Sequence, residues 1–253
     1  MRTIAIVNQK GGCGKTTTAI NVASAFARIG KQVLIIDLDA QAHTTLGLGS
    51  APEELDITIY DCLTNSQIPF SRITISCPEK GLNIAPSNIL LSGVEFELAS
   101  CYNREYVLKQ KLSDLNGAYD LCIIDCSPSL SLLTLNALVA STSVIIPVQV
   151  HYYALEGLRQ LLETIDIVKE RFNPSLNILG VLLTFVEKRT NLSKQIENQM
   201  RDFFGNVVFD TVIHRAIRLA EAPSAGQSIF SYAPKRAAAS EYMALIQEIN
   251  DGK

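Results

Sequence analysis

The sequence predicts an α/β fold, a doubly wound and mostly parallel sheet with helices on both faces. Three observations carry that reading. Apolar β-rich runs are continuous rather than alternating, as in strands covered on both faces. Segments of helical periodicity lie between those runs, so strand and helix alternate along the chain. The first run also leads directly into a glycine loop that opens a helix.

In chain order, Thr3–Val7 reads as the first buried strand. The glycine loop follows, then an amphipathic helix from Lys15 to Arg28, with Gly30 where a helix C-terminus favours glycine. Gln32–Asp37 is a second strand, and Leu121–Asp125, Val144–Val148 and Leu176–Leu183 extend the set. Helical patterns cover Glu105–Leu115, Leu130–Ala140, Leu155–Arg171, Leu192–Phe204 and Ala237–Asn250. Crossovers between the parallel strands are expected to be right-handed. The Pro-, Ser- and charge-rich stretches near 50–56 and 64–80 read as loops rather than linkers. No internal repeat or low-complexity tract interrupts the pattern, and residues 1–253 are expected to form a single domain.

An apolar fraction of 47% suffices for a sizeable core. No apolar run reaches the roughly 18 residues of a membrane helix, and the N-terminus enters a strand without a leader pattern. A soluble, cytoplasmic protein with no membrane partner is expected. Six cysteines (13, 62, 77, 101, 122, 126) form no CxxC pair and have no histidine at metal-ligand spacing. They read as reduced thiols packed as small apolar residues. The net charge of −3 is unevenly spread. Residues 186–236 carry 8 Lys/Arg against 5 Asp/Glu, whereas residues 1–185 carry 13 against 17.

The loop reads Lys10-Gly-Gly-Cys-Gly-Lys-Thr-Thr17. Gly11, Gly12 and Gly14 let successive backbone N–H groups, that of Cys13 included, point inward, and the helix N-terminus adds its partial positive charge. Polyphosphate binding follows. Lys15 can reach the β- and γ-phosphates of ATP, the Thr16 hydroxyl can ligate Mg²⁺, and Thr17 is placed towards the α-phosphate. The generic pattern GxxxxGK[ST] is broken at one position, where Gln9 replaces its first glycine and Lys10 adds a second lysine. Two strands expected to flank the loop end in carboxylates, Asp37-Leu-Asp39 and Asp125, which places these at the ligand crevice. Asp125 fits the role of holding Mg²⁺ through water. Asp39 suits orientation of the attacking water, Asp37 suits support of the loop and metal shell, and both join Thr16 and Asp125 as candidates around Mg²⁺. A carboxylate that merely caps a following helix is the competing reading.

These residues resemble a known family. KGGxGKTT is the deviant Walker A signature of the ParA/MinD branch of P-loop ATPases. VLIIDLDAQAHTTLGLG, IIDCSPSLSLLTLNAL, PVQVHYYALEGL and RLAEAPSAGQSIFSYAP resemble further ParA blocks, closest to the small chromosome-type form called Soj. With the loop beginning at residue 10, the extra N-terminal DNA-binding domain of larger forms is not expected. The resemblance implies a homodimer that sandwiches two ATP molecules, with Lys10 reaching the partner subunit's nucleotide. It further implies slow, partner-stimulated ATP hydrolysis and a ParB-like partner. Double-stranded DNA would be bound without sequence preference, placing the protein on the nucleoid. By motif position the DNA contacts fall on Arg189, Arg218 and Lys235, and the adenine contact near His214 and Ala216.

The departures from the family pattern are Ala40 for Pro, Ser127 for Pro, His151 for an acidic residue, Cys13 for Val, and His214-Arg215-Ala216 for Pro-Arg-Asn. Three other readings share the loop. A MinD-like membrane-associated ATPase of division-site placement needs a basic amphipathic C-terminal helix, whereas Ser240–Lys253 holds three acidic residues and one terminal lysine. A nitrogenase-type iron–sulfur protein needs paired cysteines at a dimer axis, for which Cys126 is the nearest candidate. A ligase of the dethiobiotin synthetase type would lack the ParA-like blocks.

Overall fold

The computed structural model describes the chain apart from residues 116, 152, 153, 188–190 and 253. Seven strands form one sheet: β1 (Arg2–Ile6), β2 (Val33–Leu38), β3 (Ile75–Ser76), β4 (Leu82–Ala85), β5 (Leu121–Cys126), β6 (Ser143–Gln149) and β7 (Asn177–Thr184). Their order is β3-β4-β2-β5-β1-β6-β7. All neighbours run parallel except β3, which is antiparallel to β4.

Side-chain alternation along the central strands divides the core into two layers. Ala5, Leu34, Ile36, Cys122 and Ile124 face one cluster, which the helices Leu132–Ala140 and Ala154–Arg171 help to close. Ile4, Ile6, Val33, Ile35 and Ile123 face the other, closed by the helices Lys15–Arg28 and Ala237–Asn250. Both faces are therefore covered, which is why these strands read as unbroken apolar runs. The expected doubly wound sheet is present.

The structure adds to and corrects the reading in four places. Two strands, β3 and β4, were not expected: each is short, and Asn83 and Ser76 interrupt their apolar character. The 64–80 stretch, read as loop, contains β3 and the helix Phe70–Ile73, whose single turn is too short to show a period. Phe70 and Ile73 are nonetheless fully buried. β2 does not flank the loop strand, because β5 lies between β1 and β2. Finally, the helix expected from Leu130 starts at Leu132, where the Ser131 hydroxyl caps it by accepting from the Leu133 N–H at 3.2 Å.

Register then positions the site. Ile6 pairs with Asp125, and Asp125 pairs with Asp37. The C-terminal ends of β1, β5 and β2 thus bring the glycine loop and two carboxylates to one edge of the sheet.

Candidate functional site

The loop between β1 and the Lys15–Arg28 helix is shaped by glycines where only glycine is relaxed. Gly12 has φ +71° and Gly14 φ +87°, both in the left-handed region. Gly11 and Gly12 face open space, so the backbone there is bare. Neighbouring strands brace the loop. The Asn8 side chain donates to the Pro147 carbonyl at 2.7 Å and accepts from the Lys10 N–H at 3.0 Å. On the other side, the Thr184 hydroxyl donates to the Cys13 carbonyl at 2.8 Å.

The helix that follows has no side-chain cap and no acidic residue in its first turn. Its N-terminal N–H groups and positive dipole end are left for an outside acceptor. Lys15 is only 7% exposed, and its ammonium donates to the Lys10 carbonyl at 3.0 Å. The Cys13 thiol donates to the same oxygen at 3.2 Å. A buried cation satisfied only by its own loop's carbonyl is suited to exchange that partner for a phosphate, which makes the stronger charge-assisted bond. The Lys10 side chain, in contrast, is exposed.

Opposite the loop, Asp125 Oδ2 accepts from two hydroxyls, Thr16 at 2.8 Å and Thr44 at 2.7 Å. Its Oδ1 is buried without a partner. Asp37 accepts on Oδ2 from the Thr45 N–H at 2.9 Å and hydroxyl at 2.7 Å, and on Oδ1 from the Asp39 N–H at 3.2 Å. Burial, then the nearby Asp125, push the Asp37 carboxyl up to about 7. Burial also lifts Asp125 to about 6, against the opposing pull of Thr44, Thr16 and Lys15. A cation in the cleft would offset this burial, and the orphaned Asp125 Oδ1 is the atom that would face it.

Thr16 and Asp125 fit a hydrated Mg²⁺, which keeps several waters and takes few protein ligands. Asp37 does not fit as a direct ligand, because Thr45 and the Asp39 N–H occupy its oxygens; its place is behind the site. Among the described residues no group of three His, Cys, Asp or Glu is gathered for a metal. Asp39 lines the cleft itself, with its Oδ1 accepting from the Gln41 N–H at 3.0 Å. The cleft measures about 690 Å³ and is walled by Gly11, Gly12, Lys15, Thr16, Thr17 and Asp39, among others.

Sequence reasoning missed Thr44 and Thr45. They sit on the one-turn helix His43–Gly47 and clamp the segment carrying Asp39 onto both buried carboxylates. Their signal was a Thr pair shortly after Asp-x-Asp, too local a pattern to reveal a contact with Asp125. Phe185 was missed as well. It holds φ +54°, a strained conformation for a bulky residue costing roughly 1–3 kcal/mol, and its ring would lie 3.4 Å from a Cβ at Gly14.

The remaining candidates are spread more widely. His214 and Ala216 line a smaller cavity adjoining the cleft. Arg218 is exposed on the helix Ile217–Glu221 and paired with Glu221 at 2.6 Å. Lys235 is exposed, and Arg189 lies outside the described residues. Arg215 and Arg201 are engaged with Glu187 and Glu197. The Cys126 thiol is buried and pushed up by burial, so it packs as core rather than presenting a ligand.

Comparison with known proteins places this geometry. Residues 1–178 match the family described as AAA domain. The sporulation initiation inhibitor protein Soj of Bacillus subtilis (strain 168) is 46% identical over 246 residues, covering 97% of both chains. The chromosome partitioning protein ParA of Myxococcus xanthus (strain DK1622) is 44% identical over 248 residues, covering 98% of this chain and 87% of that one. The chain belongs to the Soj/ParA family.

Membership agrees with the P-loop NTPase architecture of solved structures. Cobyrinic acid a,c-diamide synthase of Mycobacterium smegmatis with bound ATP analogue and magnesium superposes with a TM-score of 0.88 at 34% identity, covering 100% of this chain and 97% of that one. The septum site-determining protein MinD of Pyrococcus horikoshii, complexed with Mg-ADP, shares the fold, with a TM-score of 0.80 at 24% identity over 98% of this chain and 96% of that one.

Proposed function

We propose that this Soj/ParA-family chain is an ATP-dependent dimerising switch. It binds ATP with Mg²⁺, dimerises around two nucleotides, holds DNA without sequence preference, and partitions chromosome or plasmid DNA with a ParB-like partner. Slow ATP hydrolysis, accelerated by that partner, resets it in the cytoplasm at the nucleoid. The observation that carries the reading is the split between the two loop lysines. Lys15 is buried and satisfied within its own loop, whereas Lys10 points its charge into solvent beside the bare backbone of Gly11 and Gly12.

The roles follow from position. Backbone N–H groups of residues 11–17 and the Lys15 ammonium hold the phosphates. Thr16 and Asp125 hold Mg²⁺, Asp37 fixes the segment bearing Asp39, and Asp39 orients water. When bound, Mg²⁺ neutralises charge on the β- and γ-phosphate oxygens. Lys10 completes the partner subunit's site, so each protomer supplies half of a closed site.

DNA binding is assigned to Arg218, Lys235 and Arg189, each contributing about −0.9 to the salt slope per phosphate contacted. A monomer with so few contacts binds weakly, and dimerisation doubles their number. Engagement of Arg218 by DNA requires release of its pair with Glu221, whose Oε2 also accepts from the Tyr232 hydroxyl at 3.2 Å. A membrane-associated reading finds no support in the last helix. Ala237–Asn250 buries Ala238, Tyr242, Leu245, Ile246 and Ile249 against the core, and no helix among the described residues is long and apolar enough to cross a membrane. A ligase reading has the weaker relative, at 34% identity against 46%.

Sedimentation velocity tests the switch. A slowly hydrolysed ATP analogue with Mg²⁺ is expected to convert the wild-type monomer into a dimer, and Lys10→Ala is expected to bind the analogue yet remain monomeric. A wild-type chain that stays monomeric while saturated with the analogue sinks the proposal.

A further inference from the structure

The carboxylate near the end of β5 is a junction between two parts of the site. Asp125 Oδ2 accepts two hydroxyls from different elements, Thr16 on the helix Lys15–Arg28 at 2.8 Å and Thr44 on the helix His43–Gly47 at 2.7 Å. A hydroxyl has one proton to donate, and both spend it on the same oxygen. Thr16 belongs to the phosphate loop, whereas Thr44 follows Asp39 through a short turn. One oxygen therefore joins the phosphate side of the site to the segment that carries the water-orienting carboxylate.

The turn after Asp39 is not relaxed by itself. Ala42 holds φ +54°, a left-handed conformation that a Cβ disfavours, and its N–H donates to the Asp39 carbonyl at 2.9 Å. Such a backbone persists only where its surroundings hold it. Beyond the turn two neighbouring hydroxyls supply the hold, and they are not equivalent. Thr45 is tied three times: its hydroxyl and its N–H both donate to Asp37 Oδ2, and its Oγ accepts from the Ser87 N–H at 2.9 Å. Thr44 is fully buried, and among the described residues its hydroxyl makes one hydrogen bond, the one to Asp125. Thr45 thus anchors the helix to the β2 side of the sheet. Thr44 supplies the tie to β5, and through the shared oxygen to Thr16.

We propose that Thr44 is a positioning residue for hydrolysis: through Asp125 it holds the Asp39 turn in register with Thr16, and its influence on turnover is exerted through Asp39. The proposal rests on the ATP-hydrolysing reading and adds a residue to it. Thr44 acts from within the core, without touching the nucleotide, so it sets the rate of the chemical step rather than the affinity for ATP.

Three measurements on the full chain test it. Thr44→Val removes the donor at nearly constant volume, and Thr44→Ala removes it in a smaller side chain. Single-turnover hydrolysis with Mg²⁺ is expected to slow by about 10- to 100-fold in both, the worth of one hydrogen bond to a charged group. Calorimetric affinity for a slowly hydrolysed ATP analogue is expected to stay at the wild-type level, and Thr44→Ser, which keeps the donor, is expected to retain most of the turnover. Hydrogen exchange of the nucleotide-free protein reads the turn directly. The N–H groups of Ala42, Thr45 and Leu46 should exchange faster in Thr44→Val, while those of β1 keep their wild-type protection. The third measurement is a double-variant cycle. Asp39→Ala combined with Thr44→Val is expected to be no slower than Asp39→Ala, because Thr44 acts through that residue. A folded Thr44→Val chain with wild-type turnover overturns the proposal, and so do losses that multiply in the double variant. Wild-type protein that binds ATP without hydrolysing it, or an Asp39→Ala chain at the wild-type rate, instead overturns the hydrolytic reading, and this proposal with it.

Discussion

Lys15→Ala is expected to weaken ATP binding by roughly 30- to 3,000-fold, the range that corresponds to about 2–5 kcal/mol for removing one member of a buried charged pair. The ammonium is nearly enclosed, with the Lys10 carbonyl as its one hydrogen-bond partner among the described residues, so little competes for it when a triphosphate arrives. The fold is expected to suffer much less, since beyond that one bond and the packed stem the side chain contributes only its charge near Asp125. Lys15→Gln separates the two effects by keeping most of the stem while removing the charge. Thermal unfolding reads both at once: wild-type protein gains stability as RT ln(1 + [L]/Kd) with added nucleotide, and neither variant should at the same concentration. Wild-type affinity in Lys15→Ala would remove the loop from the account.

Asp39→Ala is expected to show the opposite division, with ATP binding and dimerisation kept and hydrolysis slowed by about 10²–10⁴-fold, the usual worth of a group that positions or deprotonates the reacting water. Among the described residues the side chain's one hydrogen bond is accepted from the Gln41 N–H, in an exposed turn. The N–H of residue 39 still reaches Asp37 after the change, so the clamp through Thr44 and Thr45 is not disturbed. Single-turnover phosphate release measures the chemical step apart from nucleotide exchange. Turnover at the wild-type rate would take Asp39 out of the mechanism.

Much of this site was legible because its signals are local. A buried strand, a glycine loop and a helix N-terminus occur consecutively in Arg2–Arg28, and each has its own residue chemistry. Asp37 and Asp125 stood out because they end apolar runs, and the register that pairs them followed from the parallel sheet. What stayed hidden depends on contacts remote in sequence. Thr44 meets Asp125 across 81 positions, and Glu241 meets His214 from a helix read only as packing. β4 was missed because Leu82-Asn-Ile-Ala85 is too short and too polar to stand out, although it pairs with β2 on the side away from β5. The positive segment was visible as composition, but not the ion pairs that occupy Arg201, Arg215 and Arg218.

Those pairs must open before the arginines can meet DNA phosphates. The direct test is retention of non-specific double-stranded DNA across a salt titration, with no nucleotide, ADP, ATP and a slowly hydrolysed ATP analogue, for wild type and Arg218→Glu. The account predicts binding only with ATP or the analogue, falling steeply with salt, and weaker with a shallower slope in Arg218→Glu while its ATP turnover is retained. Binding that is indifferent to nucleotide, or absent in every state, would contradict it.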